Sequence, residues 1–110
     1  MQAYVLFGII WTHFVADFLM QSDEMAINKS KSNKWLGIHS FVYALPFLWL
    51  GWKFAVITSI LHFALDWATS RGTSKLWAAN QRHWFFSLIG FDQAIHLTIL
   101  IGTYAVLFSR

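Results

Sequence analysis

The chain lacks cysteine altogether, has a single proline and carries few charged residues. The absence of cysteine excludes disulfide bonds and thiolate metal ligands. Asp, Glu, Lys and Arg make up only 12% of the 110 residues and 57% are hydrophobic, whereas about 25% of a soluble domain is charged. The G-x-S-x-G, Walker A, CxxC and HExxH motifs are also missing. The composition therefore indicates a membrane protein, and the missing motifs exclude the common soluble enzymes that carry them.

Four apolar segments are each close to the length that crosses a bilayer. The predicted spans are residues 3–20, 35–52, 54–70 and 91–108. A hydrocarbon core about 30 Å thick needs about 20 helical residues. Gly90 favours a break before the fourth span, with residues 84–90 as an interfacial or re-entrant lead-in, while a start near Trp84 stays open. The sequence thus predicts an all-α polytopic membrane protein, with residues 1–110 as one bundle of four transmembrane helices.

The basic residues predict the orientation of this bundle. Six of the eight Lys and Arg residues lie in the loops that follow the first and third spans. By the positive-inside rule, these two loops face the cytoplasm and both termini lie on the opposite side. Anionic lipid headgroups therefore explain the basic charge better than nucleic acid does. We expect lipid partners and no nucleic acid, leave a homo-oligomer open, and expect headgroup contacts from Lys29, Arg71, Lys75 and Arg82.

A short phrase, H-F-x-x-D-[F/W], occurs at residues 13–18 and again at residues 62–67. Its His and Asp are four residues apart, so they lie on one face of a helix. An ionisable group in mid-membrane costs at least about 2.5 to 3.5 kcal/mol, so such residues need partners, water or a ligand. With two helices in each half of the chain, both copies point the same way across the membrane. This predicts a two-helix parallel internal repeat.

Seven ionisable residues fall at a similar depth, within about two to three turns of the cytoplasmic ends of the four predicted spans. They are His13, Asp17, His39, His62, Asp66, Asp92 and His96. One buried cluster is the simplest explanation of this coincidence. Neighbouring polar residues are expected to orient the cluster through hydrogen bonds. These are Gln21, Tyr43, Thr58 and Gln93.

Imidazole and carboxylate groups without sulfur favour zinc, and also suit iron or manganese. All seven residues are candidate ligands of such a divalent metal, and Asp17, Asp66 and Asp92 are also candidate catalytic bases. Seven ligands exceed one tetrahedral site, which leaves open a two-metal centre or one metal with a separate base. Their side chains can also form hydrogen bonds between helices, each of which contributes about 0.6 kcal/mol to stability.

The order and spacing of these residues carry a resemblance to a known family. The series runs His13-x3-Asp17-Phe18-x2-Gln21, Lys29, His39, His62-x3-Asp66 and Asp92-Gln93-x2-His96. It resembles a family of small bacterial and phage membrane proteins catalogued as a domain of unknown function (number 3307). This implies a bacterial inner membrane, but no activity. Members often carry Lys where this chain has Thr69. A looser similarity, to membrane-bound metal-dependent hydrolases, favours metal binding.

Three functions are compatible with the pattern. We favour a metal-dependent hydrolase that acts on a lipid or lipid-linked ester or phosphate at the cytoplasmic leaflet. Its histidines would bind the metal, and its aspartates would be ligands or the base that activates water. The second function is conduction of protons or divalent cations through the same residues. The third is a non-catalytic phage or bacterial membrane protein that binds a host membrane component. Enzymatic activity therefore stays open.

Overall fold

Five α-helices account for most of the chain, and no strand occurs in the part that the structure describes. The computed structural model describes residues 2–108, without the side chain of Ala26. The helices are α1 (Ala3–Phe14), α2 (Asp23–Asn28), α3 (Asn33–Ala44), α4 (Trp52–Ala78) and α5 (Arg82–Leu107). With 88% of the residues helical, the predicted all-α class is confirmed. Residues 1, 109 and 110 of the predicted domain lie outside the described residues.

Two helices continue in another helical geometry. A π-helical turn, Val15–Leu19, follows α1, and a 3-10 segment, Leu45–Leu50, follows α3. The change after α3 is caused by Pro46, which has no amide hydrogen to donate to the carbonyl of Val42. That carbonyl accepts from the amide of the residue before the proline instead. The backbone then turns into α4 at Gly51, whose φ of 103° favours glycine.

The turn between α4 and α5 is much shorter than the sequence predicted. Helix α4 continues to Ala78, past the predicted end at residue 70. Helix α5 begins at Arg82, before the predicted start at residue 91. The predicted helix break at Gly90, with its lead-in segment, is therefore wrong.

Packing between α4 and α5 explains why the glycine does not break the helix. Glycine disfavours a helix by only about 1 kcal/mol relative to alanine. The two helices pack closely over a long stretch, and Gly72 allows their approach. A Cβ atom at this position would lie 2.9 Å from Leu88 Cδ2. The packing of α4 against α5 therefore outweighs the weak local preference at Gly90.

The bundle has an apolar half and a polar half. The apolar core joins the start of α1 and α4 to the end of the 3-10 segment and the C-terminal half of α5. Its main members are Val5, Ile9, Phe47, Leu50, Phe54 and Leu100. Because opposite ends of successive long segments meet in this core, these segments run antiparallel. The other ends of the same segments therefore form a second interior, which holds the ionisable residues.

Membrane spans were also predicted for these segments. Helix α5 is long and apolar enough to cross a membrane, and Ala3–Leu19 forms a shorter apolar helix. These helix lengths do not establish four spans or their orientation, which stay predictions.

Candidate metal centre

Four helical segments bring together the seven ionisable residues that the sequence placed at one depth. All seven are buried in the polar half of the bundle, and the most exposed, Asp92, is only 8% exposed. The residues, called here the His/Asp cluster, are His13, Asp17, His39, His62, Asp66, Asp92 and His96. Buried charges require hydrogen bonds and partners of opposite charge, or a bound metal ion.

Asp17 enters the cluster from the π-helical turn Val15–Leu19. The amide of Met20 there donates to the carbonyl of Val15, which widens the turn by one residue relative to an α-helix. The corresponding residue of the second repeat, Asp66, lies in the regular helix α4. The two repeats therefore differ in backbone geometry at their aspartates. Such π turns often occur at functional sites.

Four ligand atoms from four residues converge in the cluster. They are Asp17 Oδ1, His39 Nε2, His62 Nε2 and Asp66 Oδ2, called here the four-atom group. His39 Nε2 lies 2.9 Å from His62 Nε2 and 3.1 Å from Asp17 Oδ1. Asp66 Oδ2 lies 3.5 Å from His39 Nε2 and 3.6 Å from His62 Nε2. The separation between Asp17 Oδ1 and His62 Nε2 is 3.8 Å.

These separations fit a tetrahedral metal site. A zinc ion with bonds of about 2.0 to 2.1 Å holds its ligand atoms about 3.3 to 3.4 Å apart. The five measured separations, from 2.9 to 3.8 Å, lie on both sides of that value. Asp17, His39 and His62 therefore form a buried group that could hold a divalent metal ion. Asp66 Oδ2, within 3.6 Å of both imidazole nitrogens, is a candidate fourth ligand.

Several polar atoms of this group lack hydrogen bonds. Asp66 Oδ2 is buried and receives no hydrogen bond from the described residues. The Nδ1 atoms of His39 and His62 are also unpartnered, as is Oγ1 of Thr58, one turn before His62. The facing Nε2 atoms would repel each other if both presented lone pairs at 2.9 Å. A cation between them would turn both lone pairs into ligands, so the donor set fits a metal.

His13 lies beside the four-atom group with both ring nitrogens engaged. Its Nδ1 is 2.7 Å from the Tyr43 hydroxyl, and its Nε2 is 2.7 Å from Gln93 Oε1. Because the amide oxygen only accepts, His13 Nε2 donates and the Tyr43 hydroxyl donates to Nδ1. Gln93 Nε2 donates to Asp17 and Asp92 at 3.3 and 3.1 Å. Tyr43 and Gln93 thus contact the cluster, and His13 has no nitrogen free for a metal.

A second group of possible ligands consists of Asp66, Asp92 and His96. Each offers one ligand atom, and these atoms lie within 4.8 Å of one another. His96 Nε2 is 3.1 Å from Asp92 Oδ1, which also accepts from the Thr69 hydroxyl. Sequence analysis missed the role of Thr69. Its spacing, three residues after Asp66 on the same helix, is the signal that would have found it.

A cleft of about 240 Å³ adjoins the carboxylates. Its lining includes Asp17, Asp66, Asp92, Gln21 and Lys29. The Lys29 ammonium forms an ion pair with Asp66 Oδ2 at 3.1 Å. The lysine was predicted to contact headgroups, and the structure directs it at the cluster. The cleft has room for a small polar group next to the carboxylates.

The other residues predicted to contact headgroups do not line this cleft. The Arg71 guanidinium stacks on Trp67 at 4.6 Å from the ring centre. The Arg82 guanidinium stacks on Trp77 at 3.5 Å. Lys75 is exposed on α4. These three basic residues therefore lie on the outer surface of the bundle, and their contact with lipid headgroups stays a prediction.

The His/Asp cluster lies within the part of the chain that matches a known family. A family model described as "Protein of unknown function (DUF3307)" matches residues 5–110. Comparison with curated proteins and with solved structures gives no match. The family description names no activity, so the function has to be argued from the site. The resemblance seen in the spacing of the His and Asp residues is nevertheless confirmed, and the chain belongs to the DUF3307 family of proteins of unknown function.

Proposed function

We propose that the protein is a metal-dependent membrane hydrolase that cleaves an ester or phosphate bond of a lipid or lipid-linked substrate at the cytoplasmic leaflet. The observation that carries this proposal is the four-atom group. Two imidazole nitrogens and two carboxylate oxygens converge there at separations of 2.9 to 3.8 Å. Zinc is the metal we expect first, with iron or manganese as alternatives, because the ligands are nitrogen and oxygen without sulfur.

The outer surface of the bundle supports a membrane location. Large apolar side chains are exposed on the long segments, among them Trp11 at 65%, Trp52 at 67% and Phe86 at 63%. Soluble monomers rarely expose large contiguous apolar surfaces. A bundle with ionisable residues inside and aromatic residues outside fits a lipid environment, where ionisable residues face the interior of the bundle.

The chain's own residues provide the remaining parts of a hydrolytic site. A bound divalent cation would polarise the bond to be cleaved and activate water. The water oxygen bonds to the phosphorus or acyl carbon, and its proton passes to a carboxylate of the cleft. That proton then moves to the leaving alcohol oxygen as the ester bond breaks. Lys29 faces the same cleft and would pair with an anionic oxygen of the substrate.

Conduction through the bundle is the weaker proposal because of the apolar half. Beyond Tyr43, the described interior consists of residues such as Ile9, Phe47, Phe54 and Leu100. No buried ionisable side chain among the described residues continues the path in that direction. A proton or cation that entered the cluster would therefore meet a closed apolar core. This arrangement suits a site that a substrate enters and leaves from one side.

Metal analysis of the purified, detergent-solubilised protein tests the proposal. We expect near-stoichiometric zinc, iron or manganese in the native chain and its loss from a His39→Ala, His62→Ala double variant. His83→Ala is the matched control, since this fifth histidine is exposed and outside the cluster. Tryptophan fluorescence would check that each variant is folded. Native protein that is folded and metal-free, even after incubation with zinc or manganese, would refute the metal-dependent hydrolase.

An assay with phosphatidic acid in mixed micelles tests hydrolysis. This lipid contains one phosphate monoester and two carboxylic esters, so released phosphate and released fatty acid report on the two kinds of bond separately. We expect metal-dependent release of one of them by the native chain and by His83→Ala. The double variant should be inactive in both readouts. Activity that survives chelation and the double substitution would contradict the role of the four-atom group.

A further inference from the structure

Asp66 is shared between the four-atom group and the second group of ligands. We propose that Asp66, Asp92 and His96 bind a second divalent cation beside the first, and that the paired ions select a phosphate monoester as substrate. This inference rests on the proposed hydrolase function, which requires only the first ion. It adds the number of ions and the class of substrate.

The geometry of the second group supports a separate ion. Its three residues are 3%, 8% and 3% exposed, so the group is largely buried beside the cleft. His96 Nε2 and Asp92 Oδ1 are 3.1 Å apart, close to the ligand separation expected around one metal. The ring centres of His96 and His62 are 4.5 Å apart, so the two groups are neighbours. Two ions held this close could act on one substrate, as in two-metal hydrolases.

The carboxylate of Asp66 is held differently from that of Asp92. Its Oδ2 receives no hydrogen bond from the described residues, and the nearby cation is the Lys29 ammonium at 3.1 Å. Asp92, in contrast, is held at both oxygens by Thr69 and Gln93. A carboxylate that lies between two ligand groups and is paired with one ammonium group can bridge two metals when the ammonium moves away, while a carboxylate hydrogen-bonded at both oxygens keeps one orientation.

The charge of the site distinguishes one ion from two. Asp17, Asp66 and Asp92 contribute three negative charges and Lys29 one positive charge, so the site carries two negative charges with neutral histidines. One divalent ion neutralises it, and a second gives it two positive charges. A phosphate monoester carries about two negative charges at neutral pH and restores neutrality. An uncharged carboxylic ester would not.

Hydrolysis of a phosphate monoester needs only water as the second reactant. The water oxygen bonds to phosphorus as the bond from phosphorus to the ester oxygen breaks. One proton from water passes through a cleft carboxylate to the departing oxygen, which leaves as an alcohol. The products are inorganic phosphate and a neutral alcohol, so a lipid product stays in the membrane while phosphate leaves through the cleft.

Manganese titration of the metal-free full chain tests the second site. We expect about two manganese ions per chain, with the coupled electron paramagnetic resonance spectrum of two nearby ions that share a carboxylate. His96→Ala and Asp92→Asn should each bind one ion and give the spectrum of isolated manganese. Thr98→Ala is the control on the same helix, because its exposed hydroxyl donates to the Ala94 carbonyl and Thr98 belongs to neither ligand group. It should keep both ions.

The outcomes separate this inference from the proposed function. A single ion in the native chain, unaffected by His96→Ala and lost in the His39→Ala, His62→Ala variant, would overturn the second site and leave the hydrolase in place. No bound ion in the folded native chain would overturn both. Two ions with release of fatty acid rather than phosphate from phosphatidic acid would overturn the substrate class. Two ions with release of phosphate would support the whole inference.

Discussion

His39 on α3 and His62 on α4 face each other through their Nε2 atoms at 2.9 Å. Their ring planes are inclined by 57°, so the nitrogen edges meet rather than the ring faces. Carboxylate oxygens of Asp17 and Asp66 lie within 4 Å of both nitrogens. In the polar half of the bundle, α3 and α4 thus meet at two nitrogen atoms. Their lone pairs would repel each other unless a proton or a metal lies between them.

Removal of the proposed metal should therefore destabilise the fold. An ion present at 100 times its dissociation constant stabilises the folded state by about 2.7 kcal/mol. We expect a chelator to lower the thermal unfolding midpoint of the native chain in detergent, measured by tryptophan fluorescence. The His39→Ala, His62→Ala variant should already have a lower midpoint, and chelator should lower it less than in the native chain. An equal response of this variant and the native chain would contradict a metal at the four-atom group.

Substitution of Lys29 should separate metal binding from substrate binding. Its ammonium is 3.1 Å from Asp66 Oδ2 and competes with a metal for that oxygen. Lys29→Ala should therefore bind metal more tightly, and it should cleave the anionic substrate more slowly because the cleft loses its positive charge. Titration calorimetry with zinc and the phosphate release assay measure the two effects. Lys31→Ala, in the same loop and outside the lining of the cleft, should change neither, and weaker metal binding in Lys29→Ala would contradict the competition.

Gln93 should stabilise the fold through its hydrogen bonds to three residues of the cluster. Its side chain joins His13, Asp17 and Asp92 through hydrogen bonds of 2.7 to 3.3 Å. Gln93→Leu leaves these buried partners unsatisfied, and each lost partner costs about 1 to 3 kcal/mol. We expect a loss of at least about 1 kcal/mol in the free energy of unfolding, measured by chemical denaturation in mixed micelles.

The control for this experiment is Gln81→Leu. This glutamine is exposed before α5 and forms no side-chain hydrogen bond in the described structure. Its substitution should change stability by less than about 0.5 kcal/mol. If both variants lose the same amount, the effect comes from added apolar surface and not from the network of Gln93.

The residues that form the cluster were predictable from the sequence, but the backbone geometry at Asp17 and the position of Lys29 were not. Ionisable residues in apolar segments have to meet in the interior of a bundle, and the His and Asp of each repeat are spaced for one helix face. The π-helical turn at Asp17 has no evident signal in the sequence, since the similar phrase around Asp66 lies in a regular α-helix. The direction of Lys29 was likewise missed. In the sequence, a basic residue in a loop beside a predicted span indicates a contact with lipid. Only the packing of α2 against α3 shows that Lys29 lies near the cluster instead.

Helix ends were predictable only where the local signal agreed with the packing. Ser22 precedes α2 and caps it by accepting from the Met25 amide at 3.2 Å, which is a common role of serine at a helix start. Pro46 changes the helix geometry, as proline chemistry requires. At Gly90 the local signal predicted a helix break, but α5 continues through this residue. The contacts between α4 and α5 that stabilise it join different segments of the chain and are not visible in the local sequence. A single sequence does not reveal whether such contacts will outweigh the weak tendency of a glycine to end a helix.

Glycine substitutions test the corrected helix α5. A Cβ atom at Gly90 would meet nothing within 4 Å. If this position is helical, Gly90→Ala should raise the free energy of unfolding by up to about 1 kcal/mol. Gly51→Ala is the contrasting variant, because its φ of 103° disfavours any side chain, and it should lose about 1 to 3 kcal/mol. Destabilisation by Gly90→Ala, measured by chemical denaturation, would instead favour the break that the sequence predicted.

The absence of cysteine makes the topology directly measurable. Gln2 and Gln81 are both exposed glutamines, and the proposed orientation puts them on opposite sides of the membrane because Gln81 lies in the turn between α4 and α5. We expect a membrane-impermeant maleimide to label Gln2→Cys in intact spheroplasts and to label Gln81→Cys only after lysis. Since the native chain has no thiol, it serves as the background control. Labelling of both variants in intact spheroplasts would place the two residues on the same side. The His/Asp cluster would then not open toward the cytoplasmic leaflet, and the proposed access of lipid substrates from that side would be wrong.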